Sequence, residues 1–184
     1  MDLTNLLIVK KFLGGSGSSE SEILESYLDQ WSLYANTKLE VAELPNITRL
    51  PDYAFQNQTK LVYITIPDSV TSISYRAFYG CRSLQSITIP DSVTSIGTQA
   101  FDDCTSLESI IIPDSVTEIG TMAFWGCSGL TSVTMGNGVT EIGALAFTGC
   151  TNLTTINVPW SEGAVSGAPW SAANATINYN YTGE

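Results

Sequence analysis

Four cysteines, Cys81, Cys104, Cys127 and Cys150, stand 23 residues apart, and the chain contains no histidine. Thiols at a fixed step could pair as disulfides or share a metal ion. A fixed step is equally what a column of small buried residues needs, and reduced cysteine is among the most buried residue types. Gln58 fills the slot one step earlier, so the expectation is a reduced core column with neither bridge nor metal. Asp68, Asp91 and Asp114 keep the same step. A line of carboxylates could take calcium, but each precedes a serine in IPDS, where a short acid satisfies local backbone amides without an ion. Asn137 continues that column uncharged. Without histidine, the usual general base near neutral pH and the commonest metal ligand are missing. Serines are plentiful, but none has a base at a recognisable spacing, and GGSGSS lacks the Lys-Ser/Thr of a phosphate loop. The residues therefore point to no catalytic, cofactor-binding or metal site, and to a protein that is not an enzyme.

The elements that carry these residues repeat. Phe55, Phe78, Phe101, Phe124 and Phe147 share the 23-residue step, each preceded by alanine, and so do Leu61, Leu84, Leu107, Leu130 and Leu153. Each unit reads Leu-x-x-Ile-x-Ile-Pro, as at Leu84, Ile87, Ile89 and Pro90. The alternation predicts a strand with one buried face, and the proline ends it. Val93 and Ile96 then point inward, Gly97 permits a bend, and Ala100-Phe101 closes the coil. A unit this short cannot bury its own apolar face. Stacked about 4.8 Å from its neighbours, it joins a continuous parallel sheet and each column becomes an internal ladder.

The succession IPDSVTSIG, then Ala-Phe, then Cys resembles the BspA-type leucine-rich repeat family over residues 39–184, with serine (Ser69, Ser92, Ser115) where the common leucine-rich repeat carries Asn or Cys. The expected fold class is an α/β repeat solenoid. Its strands form a parallel β-sheet on one face of a right-handed leucine-rich-repeat coil, with a short N-terminal capping helix and an aromatic C-terminal cap. The expected organisation is an arm at 1–12, a Gly/Ser linker at 13–19, a helical cap at 20–38, repeats at 39–159 and a capping repeat at 160–184. Leu39, Ala42, Leu44 and Pro45 fit a first rung. Val165 and Trp170 fall in the Ile and Phe columns, and the closing strand is expected within ATINYNY, with Thr176 in the leucine slot. Trp160, Trp170, Tyr179 and Tyr181 are the cap aromatics.

Charge limits the partners. The formal net charge is −11, and all seven basic residues precede residue 83. Such a surface repels nucleic acid and anionic membranes. No run reaches the roughly 18–20 apolar residues of a membrane span. MDLTNLLIVKKFLGG begins with an acid and places its lysines after the apolar run, so no ordinary signal peptide or transmembrane segment is read there. The family resemblance implies a non-enzymatic protein-binding or adhesion module at the cell surface or outside the cell, meeting a host matrix or bacterial surface protein. That same opening stretch also resembles the starts of phage-encoded structural proteins, which implies a particle component using residues 1–19 as a docking arm. Recognition must come from positions that vary between repeats. The candidates are Tyr63 and Glu108 beside the strand ribbon, and Tyr75, Arg76, Tyr79 and Trp125 on the outer loops. Tyr79 and Trp125 could anchor a partner or merely pack over neighbouring loops. Asp102-Asp103 reads as a solvated loop.

Overall fold

The computed structural model describes residues 47–183. The arm, linker, capping helix and first rung expected between residues 1 and 45 lie outside them.

Four rungs contribute two short strands each, and the last two contribute one each. The Ile-x-Ile segments form β1 (Tyr63–Thr65), β3 (Ser86–Thr88), β5 (Ser109–Ile112), β7 (Ser132–Met135), β9 (Thr155–Asn157) and β10 (Thr176–Asn178). The Val-x-x-Ile segments form β2 (Ser72–Ile73), β4 (Ser95–Ile96), β6 (Glu118–Ile119) and β8 (Glu141–Ile142). All pairings are parallel, and the repeat step sets the register, as in Ile64 opposite Ile87 and Ile96 opposite Ile119. The second ladder, β2-β4-β6-β8, is unbroken. A bridge from Leu50 to Ile73 adds the preceding rung to it.

Three expectations change. The strand face is not continuous: β1-β3 and β5-β7-β9-β10 are separate sheets. The rungs are tied between them where the Glu108 amide donates to the Gln85 carbonyl at 3.2 Å. A second sheet was not expected at all, because a two-residue strand shows no alternation. The described residues also contain no helix, so this part of the coil is a β-solenoid rather than α/β. The Ala-Phe turns each hold a residue at positive φ (Tyr53, Arg76, Gln99, Met122, Leu145), which an α-helix does not admit.

The core is the set of columns. The five phenylalanines form a single stack with ring centres 5.1, 5.2, 5.3 and 5.4 Å apart and planes within 8° of parallel. Polar side chains stitch the same rungs from outside. Ser69, Ser92 and Ser115 donate their hydroxyls to the carbonyls of Ile47, Val70 and Val93 in the rung before, at 2.6, 2.6 and 2.7 Å. This explains serine in the slot where the common repeat has Asn or Cys: a short hydroxyl is enough to reach the neighbouring carbonyl. Ser92→Ala should therefore cost about 1 kcal/mol in a denaturant melt, the usual size of one such bond. Thr71, Thr94, Thr117 and Thr140 each donate a hydroxyl to the preceding rung as well, at 3.0–3.2 Å. In the worn repeat Gly138 replaces the serine, and a Cβ there would collide with the Asp114 carbonyl oxygen.

The last turn is shorter. β10 pairs with β9 so that Thr176 lies opposite Thr155 and Ile177 opposite Ile156. A 21-residue step, not 23, thus keeps isoleucine in its column and lifts Thr176 out of the leucine slot. Val165 and Trp170 are buried, and the Phe147 amide donates to the Trp170 carbonyl at 3.2 Å. Trp160 and Tyr179 pack against the core, whereas Tyr181 is exposed.

Candidate partner-binding face

The cysteine column is buried, and all four thiols are free. Each thiol also makes a polar contact. Its Sγ–H donates to the carbonyl of a phenylalanine in the preceding rung, Cys81 to Phe55 at 3.0 Å and Cys104 to Phe78 at 3.2 Å. Burial pushes the Cys81 thiol up to about 12 and those of Cys104 and Cys127 well above their ordinary value. The thiolate is the reactive form. The native protein should thus leave a maleimide unconsumed at neutral pH, and all four thiols should react once denaturant is added.

The aspartate column is exposed at Asp68, Asp91 and Asp114. Asp114 accepts the Asn137 amide of the next rung at 2.7 Å, so this carboxylate links rungs. Among the described residues no three His, Cys, Asp or Glu side chains converge on a point.

The six candidate contact residues divide between two faces. Tyr63 and Glu108 lie by the strand sheet, with the Tyr63 hydroxyl donating to Gln85 Oε1 at 2.7 Å. A shallow open groove lined by Lys60, Val62, Ser83, Gln85 and Ser106 runs beside them. Ile111, pointing outward from β5, is 69% exposed.

Tyr75, Arg76 and Tyr79 meet on the outer turns. The Arg76 guanidinium carbon sits 5.0 Å from the Tyr75 ring centre and 4.9 Å from that of Tyr79. A cation held over an aromatic face gains roughly 0.5–1 kcal/mol where exposed. Tyr53 adds an edge-to-face contact with Tyr75, with ring centres 5.2 Å apart. Arg76 Nε donates to Gln99 Oε1 at 3.0 Å, and Gln99 Nε2 donates to Asp102 Oδ2 at 2.6 Å. Trp125 is 38% exposed and Leu145 41%. Tyr79 is thus a packing partner of Arg76 that stays half-buried, while Trp125 presents much of its ring to solvent.

Of the next slot, sequence reasoning named Arg76 and missed Tyr53, Gln99, Met122 and Leu145. Tyr53, Arg76, Gln99, Met122 and Leu145 occupy one slot of successive rungs, and all are held at φ between 53° and 62°. An L-residue there costs roughly 1–2 kcal/mol that glycine would avoid. The available signal was a slot that is large in every repeat and the same in none. Asp102 needs a correction: it is not in a solvated loop but 3% exposed. It lies in the slot of Tyr79 and Trp125, 23 residues from each, and bonds to Gln99. Asp103 is half-buried and pairs with Arg82 at 3.5 Å.

Burial raises the Asp102 carboxyl above its ordinary value, against the Gln99 hydrogen bond; Asp103 adds to the rise and Arg76 opposes it. Folded Asp102 therefore holds its proton more tightly than the unfolded chain does. Its contribution to stability is full below the unfolded value of about 3.9 and is lost as pH rises through the folded one. Asp102→Asn should accordingly melt higher than the parent at pH 7, with the difference closing as pH falls below the ordinary aspartate range.

Parallel rungs, a leucine column under the strands and an outer turn in every repeat define a leucine-rich-repeat solenoid. Residues 48–166 match the BspA type leucine rich repeat region in six copies, and the chain belongs to that family. The T. pallidum leucine rich repeat protein is similar to it, with 30% identity and a TM-score of 0.68 over 79% of this chain and 71% of that one. A leucine-rich repeat protein from Bacteroides ovatus is 32% identical, with a TM-score of 0.69, covering 79% of this chain and 37% of that one. A leucine rich cell surface protein from Faecalibacterium prausnitzii is 35% identical, with a TM-score of 0.65, covering 67% of this chain and 33% of its own. The chain thus spans about a third of those last two proteins. Among curated proteins none matches it.

Proposed function

We propose that this solenoid is a non-enzymatic protein-binding module working in adhesion at the cell surface, and that the outer-turn face makes the contact. One observation carries the reading. Five successive rungs keep large side chains at positive φ, where glycine would be less strained. Strain that persists in a regular scaffold marks positions where the side chain matters for more than the fold. Tyr75, Arg76 and Tyr79 give this face a rigid aromatic patch, and Trp125 an exposed anchor of the kind that dominates interfaces. Tyr63 and Glu108 on the strand side would be secondary contacts. The surface location named for the F. prausnitzii protein supports the same setting.

The test is quantitative mass spectrometry of cell surface, cytosol and cell-free particles from the producing strain. Enrichment at the surface is expected, and partner capture should then fail for a Tyr79→Ala, Trp125→Ala double variant that still folds. Particle enrichment would favour the phage alternative, with residues 1–19 as the arm. A wholly cytosolic protein would end both readings.

A further inference from the structure

The outer-turn face holds a group that the fold leaves unsatisfied. Asp102 is 3% exposed, its Oδ2 accepts from Gln99, and its Oδ1 has no hydrogen-bond partner. A buried carboxylate oxygen without a partner is costly, and native proteins retain few of them. Among the described residues no ion pair joins Asp102 to Arg76, whose guanidinium is held between Tyr75 and Tyr79 and bonded to Gln99. From residue 83 onward the sequence has neither lysine nor arginine. The described rungs beyond Asp102 therefore cannot supply a counter-charge, and Arg76 on the rung before acts on it without forming an ion pair.

The slot that carries the carboxylate holds an aromatic residue in the rung on either side. Gly80 donates its amide to the Asp102 carbonyl at 2.7 Å, and Asp103 donates to the Trp125 carbonyl at 2.8 Å. These bonds lock the three turns in register, with the short aspartate between the longer side chains of Tyr79 and Trp125. Aromatic faces attract ammonium and guanidinium groups, and a carboxylate adds a charge-assisted hydrogen bond. Tyr79 already has Arg76 over it, which leaves the part-exposed Trp125 as the wall open to a newcomer.

We infer that Asp102, set between Tyr79 and Trp125, is a receptor for one lysine or arginine side chain of a protein partner, which takes the unpaired carboxylate oxygen. The site deepens the adhesion reading and rests on it for its biological setting. Its chemistry can be tested without that setting. Asp102 is 3% exposed, so entry requires its surroundings to give way.

The full chain, isotopically labelled, is titrated with N-acetyl-lysinamide, N-acetyl-argininamide and the neutral N-acetyl-norleucinamide. The Asp102 carboxyl carbon and the Trp125 indole N–H are followed by NMR. Both cationic probes should shift both signals saturably, less so as salt rises, with norleucinamide inert. Asp102→Asn should weaken binding by about tenfold or more. The inference is overturned by silence of both signals, by an equal response to norleucinamide, or by unchanged affinity in the variant. Should that variant fail to fold, the Asp102 carbon shift in the unaltered protein decides alone. A cytosolic location would remove the adhesion reading and leave this titration standing, so the two can fail separately.

Discussion

Phe101→Ala should lower the free energy of unfolding by about 3–5 kcal/mol, the range for removing a fully buried aromatic ring. Phe101 is the middle ring of five and has no exposed surface. Its neighbours Phe78 and Phe124 lie 5.2 and 5.3 Å away on either side. Removing it opens a cavity and also deletes two of the four stacking contacts. The hydrogen bonds from the Phe101 amide to Ala123 and from the Phe78 amide to Ala100 resist collapse of the rungs into the gap. The cost should thus fall at the upper end of that range. Urea melts of parent and variant measure it. Repeat proteins are held by nearest-neighbour interfaces, so a central break can also split the transition in two. A loss below about 1 kcal/mol would mean that the stack carries little of the stability.

Gly120→Ala should be nearly as damaging, by the opposite route. A Cβ built on Gly120 would meet the Thr98 nitrogen at 2.5 Å and the Gly97 carbonyl carbon at 2.6 Å. Both are backbone atoms of the rung before, so no side chain can turn away. The rungs must separate locally, straining the bond from the Gly120 amide to the Ile96 carbonyl, now 2.8 Å. Overpacking of this kind costs typically 1–3 kcal/mol, and about 3 is expected where only backbone can yield. The same change at Gly163, which has no atom within 4 Å of its added carbon but lies at φ 84°, would carry backbone strain of roughly 1–2 kcal/mol without a clash, so a larger loss at Gly120 measures the steric contact. The bend anticipated for glycine in this column is therefore not the reason for it. At Gly97, Gly120 and Gly143 two backbones pass too closely for a Cβ, whereas Ser74 fills the slot in the earlier rung.

How far the sequence was legible follows from what repeats. Columns are legible because buried slots demand the same shape each time. Phe, Ala, Leu and Cys thus announced the core, and β10 fell within the expected stretch. Its register did not show, because dropping two residues from one turn leaves no trace in local alternation. The second sheet stayed hidden since two residues make no pattern, although Val93 and Ile96 were rightly placed inside. The outer face was legible only as variation. Tyr75, Arg76, Tyr79 and Trp125 stood out as large residues off the columns. Asp102 varied with them but was read as solvated, because an acid beside another acid in a loop looks so until its burial is seen.

The interruption between β3 and β5 has a mechanical meaning. Tension along the solenoid is shared by every bond that crosses from rung to rung. At this seam the strand side lacks its ladder, while the β4–β6 pairing and the Phe78–Phe101 stack run straight through. A chain anchored at one end and pulled at the other would therefore give way at this seam more easily on the strand side than on the other. It would bend like a book at its spine before any rung let go. Such a yielding joint would spread a sudden load over time.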